Sequence, residues 1–314
     1  MEVTHLALLI AGPTASGKSA VALALARRLG GVVINADSMQ VYSDLRILSA
    51  RPSPGDEAGA PHWLYGHVDG AVNYSVGHWL ADVGRKLHEA AAQDQTPILV
   101  GGTGLYFKAL TQGLSPMPMV PEAVRDGVRR AAQGASAPEL HEQLRALDPL
   151  MAAKLRPSDP QRILRALEVF AATGRSLASF QNQRSTPLLR AGGWRGVFLA
   201  PDRTALRATI NGRFDVMMQD GALDEVRGLQ MRGLDPALPV MRAHGVPHLM
   251  AYLAGALALD EAMTRSKDDT RAYARRQHTF ARNQLPGFAM MTPQVALDAA
   301  RCASSPADFA GPSA

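Results

Sequence analysis

"GPTASGKSAVALALARRLGG", residues 12–31, joins a glycine-rich loop to an apolar helix pattern. An apolar run at 5–11 predicts a buried strand before the loop, and residues 19–29 predict a helix after it. In such a strand–loop–helix unit, backbone N–H groups, the helix dipole and a lysine charge converge on a phosphate. The loop matches the phosphate-binding pattern G-x-x-x-x-G-K-[ST] at Gly12, Gly17, Lys18 and Ser19. The sequence therefore predicts phosphate binding here, with a hydroxyl ligand for Mg²⁺ at Ser19.

Strands and helices continue to alternate after this unit. Further strands are predicted at 32–35, 97–102 and 196–200, and helical patterns at 76–92 and 104–111. Such alternation is typical of a parallel sheet covered by helices on both faces. The predicted fold class is α/β, a P-loop NTPase-like parallel sheet flanked by helices, with an inserted all-helical domain.

The insertion is predicted where the alternation stops, between 113 and 193. A proline-rich segment leads there into helical patterns at 121–132, 137–147 and 159–172, without a good strand. We therefore predict a catalytic core of residues 1–112 and 194–300, a helical insertion at 113–193 and a disordered tail at 301–314.

Composition limits the classes of protein to which this chain can belong. A net charge of +5 permits a nucleic-acid partner. The single cysteine, Cys302, excludes an internal disulfide framework and a cysteine-based zinc site. No apolar run approaches the ~20 residues of a membrane span, and no signal peptide is predicted. We expect a cytoplasmic, monomeric chain with no membrane contact.

Asp37 is the candidate base beside the phosphate. It follows the strand at 32–35, and the carboxyl ends of parallel strands form the ligand-binding edge of such sheets. A carboxylate there can accept a proton from an attacking O–H or N–H group, while Ser38 and Gln40 add hydrogen-bonding groups. Asp37 could equally cap a following helix. The strand at 97–100 ends in Gly101-Gly102-Thr103 without an acid, which argues against an ordinary NTP hydrolase.

Arginines concentrate in three segments. Arg162 and Arg165 lie in the first turns of the helix that Asp159 is expected to cap, where they suit an external phosphate or a salt bridge to Glu168. A second predicted helix carries Arg271, Arg275, Arg276 and Arg282 within residues 268–284. Arg213, in the third segment, could reach a diphosphate or form a surface pair with Asp215.

Six motifs, in this order, resemble the tRNA dimethylallyltransferase (tRNA isopentenyltransferase) family of bacterial type. They are GPTASGKS, NADSMQVY, GGTGLYFKAL, DPQRILRALEV, GRFDVMM and TRAYARRQHTFAR, spread over residues 12–282. The resemblance implies transfer of a dimethylallyl group from dimethylallyl diphosphate to N6 of the adenine 3′ of the anticodon in tRNA. It also implies Mg²⁺ as cofactor, diphosphate as the released product and the tRNA anticodon arm as partner.

The resemblance assigns roles to individual residues. Catalysis would fall to Asp37 as base, Arg213 at the leaving diphosphate and Thr103 in the channel between the substrates. The diphosphate would be held by Gly12, Pro13, Thr14, Ala15, Ser16, Gly17, Lys18 and Ser19, with the metal at Ser19. Contacts to tRNA are expected from Asp37, Ser38, Met39, Gln40, Thr103, Arg125, Gln161, Arg162, Ile163, Leu164, Arg165, Arg271, Arg275, Arg276 and Gln277. Of these, the four residues between 271 and 277 would hold the tRNA backbone or the core near the site.

One segment departs from the family, and two other functions stay open. Residues 243–249 read AHGVPHL where relatives often have GYR or GYK, so the aromatic and the cation are missing. A P-loop kinase of a small hydroxylated metabolite could use Asp37 as base, although it has no need of a basic insertion. A non-catalytic nucleic-acid-binding P-loop protein would leave Asp37 without a role.

Overall fold

A six-stranded parallel sheet forms the centre of the fold in the computed structural model, which describes residues 6–181 and 184–309. The strand order is β3-β2-β4-β1-β5-β6, and every neighbouring pair is parallel. The strands are β1 (Ala7–Ala11), β2 (Gly31–Asn35), β3 (His62–Trp63), β4 (Thr96–Gly101), β5 (Trp194–Leu199) and β6 (Phe288–Met291).

Helices connect the strands and form the intervening region. In chain order they are α1 (Lys18–Leu29), α2 (Pro54–Gly59), α3 (Val76–Ala92), α4 (Gly104–Gln112), α5 (Glu122–Ala131), α6 (Ala137–Leu147), α7 (Pro149–Ala152), α8 (Pro160–Thr173), α9 (Leu177–Phe180), α10 (Arg203–Gln219), α11 (Ala222–Met231), α12 (Val246–Leu253), α13 (Leu259–Gln284) and α14 (Pro293–Cys302). Short 3₁₀ turns occur at Val240–Arg242 and Pro306–Asp308. Among the described residues, no helix combines the length and apolar character that a membrane crossing requires.

The central strands are buried on both faces, which explains their uninterrupted apolar sequences. Leu9 of β1 packs with Trp79 of α3 and Phe107 of α4 on one face. Leu8 and Ile10 point to the other face, which α1 and α14 cover. The sheet therefore holds the carboxyl ends of β1, β2 and β4 side by side at one edge.

The chain divides into two compact units. The first comprises the described residues up to Thr111 together with those from Leu188 onward, and the second runs from Gln112 to Pro187. The predicted end of the insertion at 193 is therefore wrong by six residues, because Leu189 is buried in the core of the first unit. The second unit, helices α5–α9, has its own apolar core around Leu144, Ile163 and Val169.

The expected disorder of the tail is also wrong for the residues that the structure describes. The first two residues of the expected tail, 301 and 302, are the last residues of α14, and Phe309 is fully buried in the same apolar cluster as α1. Arg28 of α1 donates a hydrogen bond to the Ala303 carbonyl at 3.0 Å. Part of the expected tail, 310–314, lies outside the described residues. Strands β3 and β6 were not predicted, since two to four residues are too short to show a period.

Candidate active site

The phosphate-binding loop, residues 12–19, follows β1 and has a conformation that leaves backbone N–H groups unused. Ala15 and Gly17 adopt left-handed backbone conformations, with φ of 62° and 82°. Within the described part of the chain, the N–H groups of Ala15, Ser16 and Gly17 donate no hydrogen bond. A buried hydroxyl, Ser16 Oγ, likewise has no partner there. A run of unpaired donors ahead of a helix N-terminus forms an anion site.

Lys18 adds a positive charge to this loop. Its Nζ donates a hydrogen bond to the Pro13 carbonyl at 2.6 Å. Burial lowers the pKa of Lys18 to about 8, which the nearby Asp37 carboxylate partly offsets and Arg213 reinforces. The desolvated ammonium is therefore best stabilised when an anion binds beside it.

Asp37 lies at the end of β2, and the structure excludes the helix-cap alternative because the next helix begins only at Pro54. Its N–H donates to Asn35 Oδ1 at 2.8 Å, and its Oδ1 accepts from the Met39 N–H at 3.0 Å. Asn35, itself fully buried, also donates to the Asp37 carbonyl at 2.9 Å. No described group donates to Asp37 Oδ2, so one carboxylate oxygen remains available as a proton acceptor.

Thr103 joins the ends of β2 and β4. Its Oγ1 accepts a hydrogen bond from the Ser38 N–H at 2.9 Å and donates to Ser38 Oγ at 3.2 Å. Its own N–H donates to the Ala36 carbonyl at 3.3 Å. The structure thus brings Thr103 to the same edge of the sheet as Asp37.

Arg213 of α10 reaches this edge as well. The surface-pair alternative is wrong, because Asp215 forms its ion pair with Lys267 at 2.5 Å. Burial lowers the pKa of Arg213, and the Asp37 carboxylate partly offsets that effect. A guanidinium that is partly desolvated beside the loop is suited to a phosphate oxygen.

Two adjoining cavities open at this edge. The first, of about 160 Å³, is lined mainly by the phosphate-binding loop with Gln40, Tyr65 and Arg213. The second, of about 190 Å³, has an apolar side formed by Met39, Leu48, Ile210, Phe214, Met217 and Ala243. Thr14, Ala15, Asp37, Ser49 and Arg213 line both cavities. The site therefore offers a polar compartment and a more apolar one, with Asp37 at their junction.

Helix α13 contributes two side chains to the site: Gln277, which the sequence predicted at the tRNA backbone or at the core near the site, and Tyr273, which the sequence did not identify. Gln277 is buried; its Oε1 accepts from the Thr14 N–H at 3.1 Å, and its Nε2 donates to the Gly102 carbonyl at 2.8 Å. It therefore holds the core near the site, and a contact of this side chain with tRNA backbone is excluded by its burial. Tyr273, one turn earlier, lines the apolar cavity and packs against the His244 ring with centroids 4.7 Å apart.

His244 belongs to the segment that departs from the family. Burial lowers the pKa of this imidazole, which favours its neutral form in the cavity wall. The departure thus replaces the expected aromatic and cation with a neutral ring packed on Tyr273. Ala274, Gln277 and Ala281 follow one another at helical spacing on the buried face of α13, and this period is the signal that indicates an inward-facing glutamine.

The remaining arginines of α13 differ in their surroundings. Arg271 donates to Asn211 Oδ1 at 2.6 Å and pairs with Asp268. Arg275 and Arg282 are exposed and form no ion pair with any described carboxylate. Arg276 is exposed too, with its guanidinium 5.7 Å from the Tyr273 ring centre. The unpaired arginines leave positive charge on this face of the first unit.

The second unit carries the other group of predicted tRNA contacts. Gln161 and Arg162 are exposed, and Arg125 and Leu164 are half-buried. Asp159 caps α8 as predicted, accepting from the Arg162 N–H at 3.2 Å.

Arg162 and Arg165 each have an intramolecular partner, Asp159 at 3.5 Å and Glu168 at 3.4 Å. The prediction that Ile163 contacts tRNA is wrong, because its side chain is fully buried in the core of this unit.

The donors in the phosphate-binding loop fit a magnesium diphosphate. Mg²⁺ commonly takes one or two protein ligands and completes its shell with phosphate oxygens and water. Ser19 is exposed in the first turn of α1, next to the unpaired N–H groups of the loop. No cluster of three or more His, Cys, Asp or Glu side chains suited to a metal occurs in residues 6–181 and 184–309. These residues suit a metal that arrives with its diphosphate.

Comparison with known proteins agrees with the geometry. The family model described as IPP transferase matches residues 40–284, and the model described as Isopentenyl transferase matches residues 5–62. The tRNA dimethylallyltransferase of Methylocella silvestris is 63% identical over 92% of this chain and 96% of its own length. That of Beijerinckia indica is 62% identical over 93% of this chain and 96% of its own length.

Solved structures show the same relationship. A eukaryotic dimethylallyltransferase acting on tRNA superposes with a TM-score of 0.75 at 25% identity, over 92% of this chain and 74% of the other. The tRNA isopentenylpyrophosphate transferase of Bacillus halodurans superposes with a TM-score of 0.65 at 31% identity, over 92% and 90%. With a matching fold, six motifs in order and identity above 60% over nearly the whole chain, the protein belongs to the tRNA dimethylallyltransferase, or IPP transferase, family.

Proposed function

We propose that this enzyme transfers a dimethylallyl group from dimethylallyl diphosphate to N6 of the adenine 3′ of the anticodon in tRNA. The observation that carries the proposal is the position of Asp37 between a loop of unpaired N–H donors and an apolar cavity. An allylic diphosphate has one anionic end and one apolar end, which match the two compartments. A tRNA substrate is consistent with action in the cytoplasm.

The reaction balances with groups that the site provides. The allylic C–O bond breaks and its electron pair leaves with the diphosphate, while a new bond forms between the allylic carbon and the adenine N6. The N6 proton passes to Asp37 Oδ2. Loop N–H groups, Lys18 and Arg213 stabilise the charge that develops on the leaving diphosphate. Mg²⁺ held at Ser19 would neutralise further charge on the diphosphate.

Contacts with tRNA are part of the proposal. Arg275 and Arg276 on α13, and Gln161, Arg162 and Arg165 on α8, present donors that suit a phosphate backbone. Ser38, Met39 and Thr103 lie beside Asp37 and are suited to the target nucleotide. The adenine must leave its stack to reach Asp37, at a cost of a few kcal/mol.

The test is transfer of label from radiolabelled dimethylallyl diphosphate to unmodified tRNA, without ATP, by the wild type and by Asp37→Asn. The wild type should label the RNA. Asp37→Asn should lower the single-turnover rate by about 10²–10⁴-fold, because general-base catalysis contributes that much. Its tRNA affinity should change little, since asparagine retains an oxygen that can accept from the Met39 N–H.

Two outcomes would contradict the proposal. An absolute requirement for ATP would favour the phosphotransferase alternative. A single-turnover rate that is unchanged in Asp37→Asn while tRNA binding is lost would remove Asp37 from the role of base.

A further inference from the structure

Glu225 of α11 binds three consecutive backbone N–H groups from a distant segment of the chain. Its Oε1 accepts from Arg46 at 2.5 Å and from Ile47 at 2.6 Å, and its Oε2 accepts from Leu48 at 3.0 Å. The described cations form no ion pair with Glu225, so its hydrogen-bond partners are these N–H groups. A carboxylate that accepts several N–H bonds is among the stronger hydrogen-bonding arrangements in proteins.

The segment that Glu225 holds forms a wall of the active site. Residues 46–50, here called the anchored segment, contribute Leu48 and Ser49 to the apolar cavity and Ser49 and Ala50 to the polar one. Leu48 lies against Gly245, where an added Cβ would approach its Cδ2 to 3.1 Å. Ala50 has a left-handed backbone with φ of 53°, which alanine adopts rarely. The anchored segment therefore has a tight and partly strained shape.

The anchored segment also fixes the orientation of Gln40. Nε2 of Gln40 donates to the carbonyls of Ser49 at 2.9 Å and Ala50 at 2.8 Å. Because carbonyls only accept, the amide nitrogen must lie on that side. The other amide atom, Oε1, accepts no hydrogen bond from the described residues. Gln40 lines the polar cavity with Asp37, so its acceptor is available to a substrate donor.

We propose that Glu225 is a positioning residue for the transfer reaction. It acts through the anchored segment, which sets the wall shared by both cavities. The segment holds Gln40, which lines the polar cavity together with Asp37, so that its acceptor is available to the adenine amine that Asp37 deprotonates. The expected change in the KM for tRNA rests on the proposed function. The anchoring itself rests only on the three hydrogen bonds.

The experiment compares the full-length wild type with Glu225→Gln, Glu225→Ala and a matched control, Asp224→Ala. Asp224 is the neighbouring acid on α11, exposed and paired with Arg227 rather than with the anchored segment. The readouts are amide hydrogen exchange of a peptide that covers residues 46–48, and the KM and kcat for dimethylallyl transfer to tRNA.

In Glu225→Ala, exchange at 46–48 should accelerate by about tenfold or more, because three N–H groups lose a charged hydrogen-bond acceptor. The KM for tRNA should rise by about tenfold as Gln40 loses its fixed orientation. Glu225→Gln keeps a carbonyl oxygen that can accept, so it should recover part of both losses. Asp224→Ala should match the wild type in both readouts.

Three results would overturn the inference: unchanged exchange at 46–48 in Glu225→Ala, equal losses in Asp224→Ala, or a fall in kcat with an unchanged KM. The last pattern indicates only a smaller folded fraction. If the wild type transfers no label, the proposed function fails instead, and the exchange measurement still decides whether Glu225 anchors the segment.

Discussion

At the scale of single residues, Lys18 gives the site a pH dependence with a definite sign. Its pKa in the folded protein is about 8, against an ordinary value of 10.5. Below the lower value the side chain is charged in both folded and unfolded states, and its burial destabilises the fold. As pH rises from the lower value toward the higher one, the folded state becomes neutral first, so this destabilisation is relieved. Diphosphate binding needs the charged form, so it should weaken as pH rises through the folded-state pKa of about 8.

The affinity for inorganic diphosphate should therefore be measured between about pH 7 and about pH 9 in the wild type and in Lys18→Arg. Over that range the wild-type affinity should fall by about tenfold more than the affinity of the variant. Arginine stays protonated throughout, and the ionisation of the diphosphate itself cancels in the comparison. Isothermal titration calorimetry at several pH values measures the difference. Parallel profiles for the two proteins would show that Lys18 is not the group that titrates.

At the scale of elements, Gln277 connects α13 to two loops of the sheet edge. The Thr14 N–H and the Gly102 carbonyl both depend on this one side chain for a hydrogen bond. Gly102 has no room for a side chain there, because an added Cβ would lie 2.2 Å from Gln277 Nε2. The contact thus explains both the buried amide and the neighbouring glycine.

Gln277→Leu should lower the free energy of unfolding by about 2–6 kcal/mol, since two buried groups lose their partner at about 1–3 kcal/mol each. Arg282→Ala, an exposed position on the same helix, should stay within about 0.5 kcal/mol of the wild type. Urea unfolding followed by tryptophan fluorescence provides the measurement. Equal midpoints for Gln277→Leu and the wild type would rule out the connecting role.

The sequence predicted elements that are determined by neighbouring residues, and it did not predict contacts between distant segments. The phosphate-binding loop, β1 and α1 could be predicted because the apolar run, the glycines and the helix end all lie within residues 7–30. The separation of Thr14 from Gln277 is 263 residues, and no local pattern encodes that pairing. The surface pair suggested for Arg213 failed for the same reason, because Asp215 binds Lys267 on another helix. Ile163 was included as a contact through its motif, although its position in the α8 period marks it as buried.

At the scale of the whole molecule, exposed arginines occur on both units. The first presents Arg275, Arg276 and Arg282, and the second presents Arg162. The net charge of +5 is thus not confined to one unit. An RNA that engages both groups should release counterions from each of them.

The double variant Arg162→Ala and Arg165→Ala should weaken tRNA binding and reduce the slope of log affinity against log salt by about 1 to 2. Arg227→Ala, which removes an exposed arginine paired with Asp224, serves as the control and should keep the wild-type slope. Filter binding across a salt series gives both values. If the double variant retains the wild-type slope, these arginines serve only their pairs with Asp159 and Glu168.

The packing of α14 has a practical consequence. The only sulfhydryl of the chain, Cys302, ends that helix and is exposed, while the backbone just beyond it is tied to α1 by Arg28. A maleimide dye should therefore attach at a single, firmly held point without any mutagenesis. With a second fluorophore on the RNA, energy transfer to or from this dye would report the distance between enzyme and RNA as individual molecules bind and dissociate.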